Sequence, residues 1–111
     1  MITGNMVKIR TKRYFDRQPL WVIVGKVLDF SESWVKIEGK GIGFFQAKVD
    51  PVDVDKETRV LLLPRDNIAH IRILPDDYDL KEVKVERVGF RYYIKIKGAP
   101  NASLGEVAEK T

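Results

Sequence analysis

Four basic residues lie close together near the start of the chain, in a pattern suited to contacting phosphate groups. Residues 1–19 hold five basic residues and one acidic residue, so the whole net charge of +4 lies in this segment. Clustered cations are the electrostatic footprint of proteins that bind nucleic-acid backbones. The alternative is a solvated edge strand whose charges deter aggregation, and the sequence leaves both interpretations open. The four residues are Lys8, Arg10, Lys12 and Arg13.

Residues that could carry out catalysis are scarce. His70 is the one histidine, and the chain has no cysteine, which excludes disulfides, thiol catalysis and cysteine-ligated metals. The acidic residues 50–57 miss the spacing of a calcium-binding loop. The glycine-rich residues 39–43 lack the Lys-Ser/Thr pair that follows a phosphate-binding loop. We therefore expect no enzyme activity, no cofactor and no metal site.

Apolar residues at alternate or consecutive positions predict five strands in the first two thirds of the chain. Gly25 interrupts the second of them, which indicates a sharp bend or the close approach of another backbone. Residues 39–43 are predicted to be a mobile connection, 44–49 a possible strand extension and 50–58 an acidic turn. The five predicted strands cover residues 7–14, 20–30, 34–38, 60–63 and 68–74.

A C-terminal extension follows a predicted linker at residues 75–79. Residues 83–86 and 90–97 alternate in polarity, which predicts a β-hairpin turning near Val88 and Gly89. Ser103 and Glu106 have the spacing of a capping box, so the tail is predicted to be a short helix or a frayed end. The predicted organisation is a β-barrel over residues 1–75 and an extension over residues 76–111.

Two stretches resemble the two halves of the bipartite motif of Sm-like proteins, the group that includes Sm, LSm and bacterial Hfq. The first stretch is 25–37, where Gly25, Val27 and Phe30 have counterparts in the family, as do the closing apolar residues. The second is 63–71, with Asn67 and Ile68 at the position where the turn enters the strand. The resemblance covers about residues 5–75 and implies an all-β fold with a small, strongly bent five-stranded barrel.

The Sm-like resemblance also implies a function. In the family the last two barrel strands pair with neighbouring subunits, so we expect a homo-oligomeric ring that binds RNA. Trp34 would stack on bases and Arg65 would contact phosphate or base, with Lys36 and Asn67 beside them and the basic N-terminal strand assisting. The expected subunit interface consists of Leu61, Leu63, Ile71 and Ile73.

Two other functions stay open. Arg13 and Arg17, followed by residues 29–31, are similar to the motifs of the PilZ domain, which implies a cyclic di-GMP receptor whose arginines grip phosphates. The chain could also be a structural assembly module whose C-terminal hairpin recruits a protein partner. The contact residues in that case would be Tyr93, Lys95 and Lys97.

Composition gives expectations about habitat and compartment. Charged residues make up 32% of the chain, whereas glutamine and asparagine are scarce, which favours a thermophilic source. The chain has neither a signal-peptide core at its start nor an apolar run of membrane-spanning length. We expect a cytoplasmic protein that does not associate with membranes.

Overall fold

The computed structural model describes residues 2–12, 20–44, 52–89, 91–96 and 100–106. The predicted all-β fold class is confirmed, because the described residues form strands in two antiparallel sheets, and their helical segments are short 3-10 turns. No helix in these residues is long and apolar enough to cross a bilayer. The strands are β1 (Met6–Thr11), β2 (Leu20–Phe30), β3 (Trp34–Phe44), β4 (Val52–Val54), β5 (Arg59–Pro64), β6 (Ile68–Ile73), β7 (Val85–Val88), β8 (Arg91–Ile94) and β9 (Ala102–Glu106).

The larger sheet is curled around an apolar core. Its strand order is β4-β3-β2-β1-β6, and β5 pairs with β3 beside β4. A 3-10 turn of three residues, Arg65–Asn67, connects β5 directly to β6 at the other end of this order. So short a connection can join opposite edges only when the sheet bends back on itself. The core residues are Val7, Ile9, Ile23, Val27, Val35 and Ile37, with Leu61, Leu63, Ile68 and Ile71 among those packed against them.

Two glycines allow the two longest strands to bend. Gly25 of β2 and Gly39 of β3 are paired in the register. A Cβ atom added at Gly25 would lie 2.6 Å from the Gly39 Cα, and one added at Gly39 would lie 2.7 Å from the Gly25 Cα. Neither position has room for a side chain, so the close backbone approach predicted at Gly25 is present and has its counterpart at Gly39.

The prediction of a mobile connection at residues 39–43 is wrong, because this segment is the second half of β3. It pairs with the first half of β2 on one side and with β4 on the other. Glycines made the segment look like a loop, but Ile42 and Phe44 keep the two-residue period of a strand and are buried. The predicted acidic turn at 50–58 contains β4. Residues 13–19 and 45–51, where the first predicted strand ends and a strand extension was expected, lie outside the described residues.

The C-terminal segment forms a second sheet that packs on the outside of the first. The predicted hairpin is confirmed, since Val88 of β7 pairs with Arg91 of β8. Tyr92 and Ile94 of β8 are buried in a second core, together with side chains from the first half of β2 and the second half of β3. The extension therefore packs on the sheet of its own chain. Its partners there are Leu20, Val22, Val24, Ile42 and Phe44.

Residues 102–106 adopt neither of the predicted forms of the tail, a short helix from Ser103 or a frayed end. Residues 102–106 form β9, which pairs with the free side of β8. Ala102 is completely buried in the second core. Pairing with an available strand edge and burial of Ala102 outweigh the local capping pattern, which is a weak signal when a segment has tertiary partners.

Candidate nucleic-acid interface

The outer face of β1 and β6 carries basic side chains in two adjacent cross-strand pairs. Lys8 lies opposite Arg72, and Arg10 lies opposite His70. Directly opposed residues in an antiparallel pair have Cβ atoms about 4.5–5.5 Å apart, and diagonal neighbours are within reach of long side chains. We refer to Lys8, Arg10, His70 and Arg72 as the basic quartet.

Burial and neighbouring cations lower the pKa values of two members of the basic quartet. Burial lowers the pKa of the Lys8 amino group to about 8, with further contributions from Arg72 and Arg10. Burial also lowers the pKa of His70, helped by Lys8 and Arg10. Opposed like charges destabilise a sheet, so a bound anion would relieve a repulsion that the fold otherwise tolerates.

Backbone carbonyl groups of β9 and of the residues just before it accept hydrogen bonds from two members of the quartet. The Lys8 Nζ donates to the carbonyl oxygen of Ser103. Arg72 donates from Nη1 to the Asn101 carbonyl (3.2 Å) and from Nη2 to the Pro100 carbonyl (3.1 Å). These acceptors are neutral, so they satisfy the donors without cancelling the positive charge.

We refer to the basic quartet together with Lys12 as the basic face, and its members differ in accessibility. Lys8 is buried, so its amino group is occupied within the chain and cannot contact a ligand directly. Arg10 is half-buried, whereas Lys12 and His70 are exposed. Arg13 lies outside the described residues. A ligand on this face would therefore meet Arg10, Lys12 and His70 first.

The buried Lys8 predicts a specific pH dependence of stability. Its pKa in the folded chain, about 8, is below the ordinary value of 10.5, so between these two pH values the unfolded chain binds more protons. The free energy of unfolding of the wild type should therefore rise relative to Lys8→Met as the pH increases from about 8 to about 10.5. Urea unfolding across this range checks it, with exposed Lys36→Met as the control. A difference that does not change with pH would contradict the burial of a charged Lys8.

The turn between β2 and β3 presents Trp34 to the surface. The Ser31 backbone N donates to the Trp34 carbonyl (2.9 Å), and the Ser31 Oγ accepts from the Trp34 backbone N (3.1 Å). The Trp34 side chain is 45% exposed, on the outer face that also carries exposed Lys36. A half-exposed indole held by a fixed turn can stack on a planar ligand.

Arg65 is bound to this same turn. Its Nη1 donates to the Ser31 carbonyl (2.9 Å), and its backbone N donates to the Ser33 carbonyl (2.9 Å). The guanidinium carbon lies 4.4 Å from the centre of the Phe30 ring, a cation–π distance. The structure thus brings Arg65 and Trp34 to one turn, where Arg65 also holds β5 against the end of β2.

The 3-10 turn after β5 connects this group to the basic face. Asn67, its last residue, accepts a hydrogen bond at its carbonyl from the Lys12 backbone N (2.8 Å). The chain therefore runs from Arg65 to the end of β1 within one short turn. The seven described residues predicted to bind nucleic acid form two groups joined by this turn, one around Trp34 and one on the basic face.

The four predicted interface residues fall into two classes. Leu61, Leu63 and Ile71 point inward and pack against the barrel core, whereas Ile73 is 54% exposed. Within the described residues β5 pairs only with β3, and β6 pairs only with β1, so each has an edge free of strand partners. Leu61, Leu63 and Ile71 therefore belong to the core of their own chain. Of the four predicted interface residues, Ile73 is the one that lies on the surface.

Sequence reasoning missed His70 and Arg72 as members of the site. The alternation of residues 68–74 places His70 and Arg72 on one face of the predicted strand. That this face lies beside Lys8 and Arg10 depends on the β1–β6 register, which no local pattern specifies.

A polar cleft lined mainly by residues 75–84 is a weaker site, and Asn101, whose carbonyl accepts from Arg72, also lines it. Its volume is about 580 Å³, and carboxylates and amines both line it. No group of three or more histidine, aspartate or glutamate side chains in the described part of the chain could hold a metal ion. Lys95, predicted as an adaptor contact, lies in this lining, while Lys97 is outside the described residues. The lining includes Asp77, Tyr78, Asp79, Glu82, Lys84 and Lys95.

Comparison with protein-family models, with curated proteins and with solved structures gave no match to this chain. The functional interpretation therefore depends on the side chains and contacts described above.

Proposed function

We propose that this chain is a non-catalytic, Sm-like protein that binds single-stranded RNA as a homo-oligomer. The observation that carries the proposal is the basic quartet, in which Lys8 lies opposite Arg72 and Arg10 lies opposite His70 across β1 and β6. An RNA backbone supplies the negative charge that such a face lacks, and binding releases the counterions condensed on the RNA.

The basic face and the residues around Trp34 would contact different parts of the RNA. Arg10, Lys12 and His70 would contact phosphates, and Trp34 would stack on a base with Lys36 beside it. Stacking contributes about 1–3 kcal/mol per base and tolerates any sequence. We therefore expect high dependence on salt and weak dependence on sequence.

Assembly would use the free edges of β5 and β6. Val60 and Leu62 of β5 are exposed, as is Ile73 of β6, and apolar strand edges left open are sites of pairing between chains. Pairing of β5 with the β6 of a neighbouring copy would be head-to-tail, the interface type that closes into a ring.

Light scattering on nuclease-treated protein, with and without an oligouridine of about 12 nucleotides, tests both parts of the proposal. We expect a native mass of several subunits, a further increase with RNA, and a smaller mass for Ile73→Glu. A monomer that retains no RNA would contradict the proposal. The exposed variant Lys81→Glu, in the turn before β7, should behave as wild type.

A second candidate is an assembly module that does not bind nucleic acid. The exposed apolar residues Trp34, Val60 and Leu62 favour it, because they lie together along the paired strands β3 and β5. In the same experiment this function predicts a multi-subunit mass with no retention of RNA.

The cyclic di-GMP receptor depends on Arg13 and Arg17, which lie outside the described residues. Titration with cyclic di-GMP tests it independently of the RNA experiment.

A further inference from the structure

One member of the basic quartet is a histidine, a side chain whose charge can change within the physiological pH range. His70 faces Arg10 across the strand pair, Lys8 on the diagonal and Arg72 two residues along its own strand. Its side chain is exposed, so an anion can reach it. The quartet therefore joins permanent cations to one group whose charge depends on its surroundings.

We infer that the basic quartet is an oxyanion site that binds a phosphodiester group of RNA together with a proton on His70. The choice of RNA as the source of the phosphodiester rests on the proposed function. The proton uptake rests on the arrangement of the four side chains.

The physical cause is a change in the charge next to the His70 ring, from the surrounding cations to a bound anion. In the free protein, burial and the cations Lys8 and Arg10 lower its pKa, so imidazole is mostly neutral at pH 7. An oxyanion held by Arg10 brings a negative charge beside the ring and raises that pKa. Because protonation and anion binding favour each other, the anion must bind more tightly as the pH falls.

The charged and polar groups of the quartet and of the segments that contact it support this direction. β1 contributes Arg10 and Lys8, and β6 contributes Arg72. β9 and the residues just before it contribute backbone carbonyls, which accept from Lys8 and Arg72 and are neutral. Glu86 of β7 accepts from the Asn101 Nδ2 (3.2 Å) and so lies beside the segment that binds Arg72. Lys8, whose pKa is about 8, adds a second change of the same sign, since its loss of a proton at higher pH also weakens anion binding.

The first test follows the imidazole itself by NMR, which is unambiguous because the chain has one histidine. His70 is titrated in sodium sulfate and in sodium chloride at equal ionic strength, since sulfate keeps its charge near neutral pH. We expect sulfate to raise the pKa of His70 by about half a unit or more. Arg10→Gln should reduce this rise, whereas Lys81→Gln should leave it unchanged. Equal titration curves in the two salts would overturn the inference.

The second test measures the affinity for oligouridine, whose bases do not titrate in this range. Between about pH 8 and about pH 6 the wild type should bind at least about twofold more tightly, and His70→Gln should lose most of that gain. An affinity for oligouridine that does not change with pH would overturn the inference, but it would not contradict the proposed function. A sulfate-dependent rise without any RNA binding would support the oxyanion site and exclude RNA as its ligand.

Discussion

Replacing Gly39 with alanine should cost at least about 3 kcal/mol of stability, a large share of the roughly 5–15 kcal/mol that stabilises a domain. The added methyl group would lie 2.7 Å from the Gly25 Cα, and backbone atoms cannot move aside as a side chain can. The strands would have to separate where both bend, which would open the barrel core and the β2–β3 pairing together. Urea unfolding followed by circular dichroism measures the loss.

Gly41→Ala is the matched control in the same strand. Its added methyl group would meet the Asp55 Oδ2 at 3.2 Å, the end of a flexible side chain, and the Trp21 ring at 3.8 Å. We expect it to cost about 1 kcal/mol or less. Equal losses in the two variants would show that the contact between Gly25 and Gly39 does not determine the bend.

Reversing the charge of Arg10 should weaken RNA binding at least about tenfold at low salt. Arg10→Glu places a carboxylate among Lys8, His70 and Arg72, where a phosphate would otherwise bind. The same change should leave the fold intact, because the introduced carboxylate would attract the cations Lys8 and Arg72, which Arg10 repels. Fluorescence anisotropy with labelled oligouridine gives the affinity, and urea unfolding gives the stability.

Comparing the RNA affinities of Arg10→Glu and Lys81→Glu distinguishes a specific binding face from an effect of net charge. Lys81→Glu makes the same change of charge at an exposed position in the turn before β7, so it controls for the net charge of the chain. If Arg10→Glu and Lys81→Glu weakened RNA binding equally, the effect would come from overall charge and the basic face would not be the site.

The sequence predicted the strands best where burial falls on alternate residues. Val35 and Ile37 face the core while Lys36 faces solvent, as the alternation indicated. The prediction failed at residues 39–43, where glycines replace the apolar residues that would have marked the inner face. Gly39 is required there because another backbone occupies the space of its side chain, and that neighbour is known only once the strands are paired.

The candidate site was predictable in its parts but not in its arrangement. Lys8, Arg10 and Lys12 are visible as a cationic strand, yet their proximity to His70 and Arg72 arises from pairing between segments about 60 residues apart. Burial of Lys8 was also hidden, because the segment that covers it comes from β9, a strand that local patterns assigned to a helix or a frayed tail.

The dependence of RNA affinity on salt tests the central claim most directly. For a single strand, the logarithm of affinity falls with the logarithm of salt concentration by about 0.7 for each phosphate neutralised. Arg10, Lys12 and His70 on the exposed face predict a slope of about −1.5 to −2 near pH 6, which should become shallower in Arg10→Glu. An affinity that does not change with salt, or no affinity for single-stranded RNA, would contradict the account.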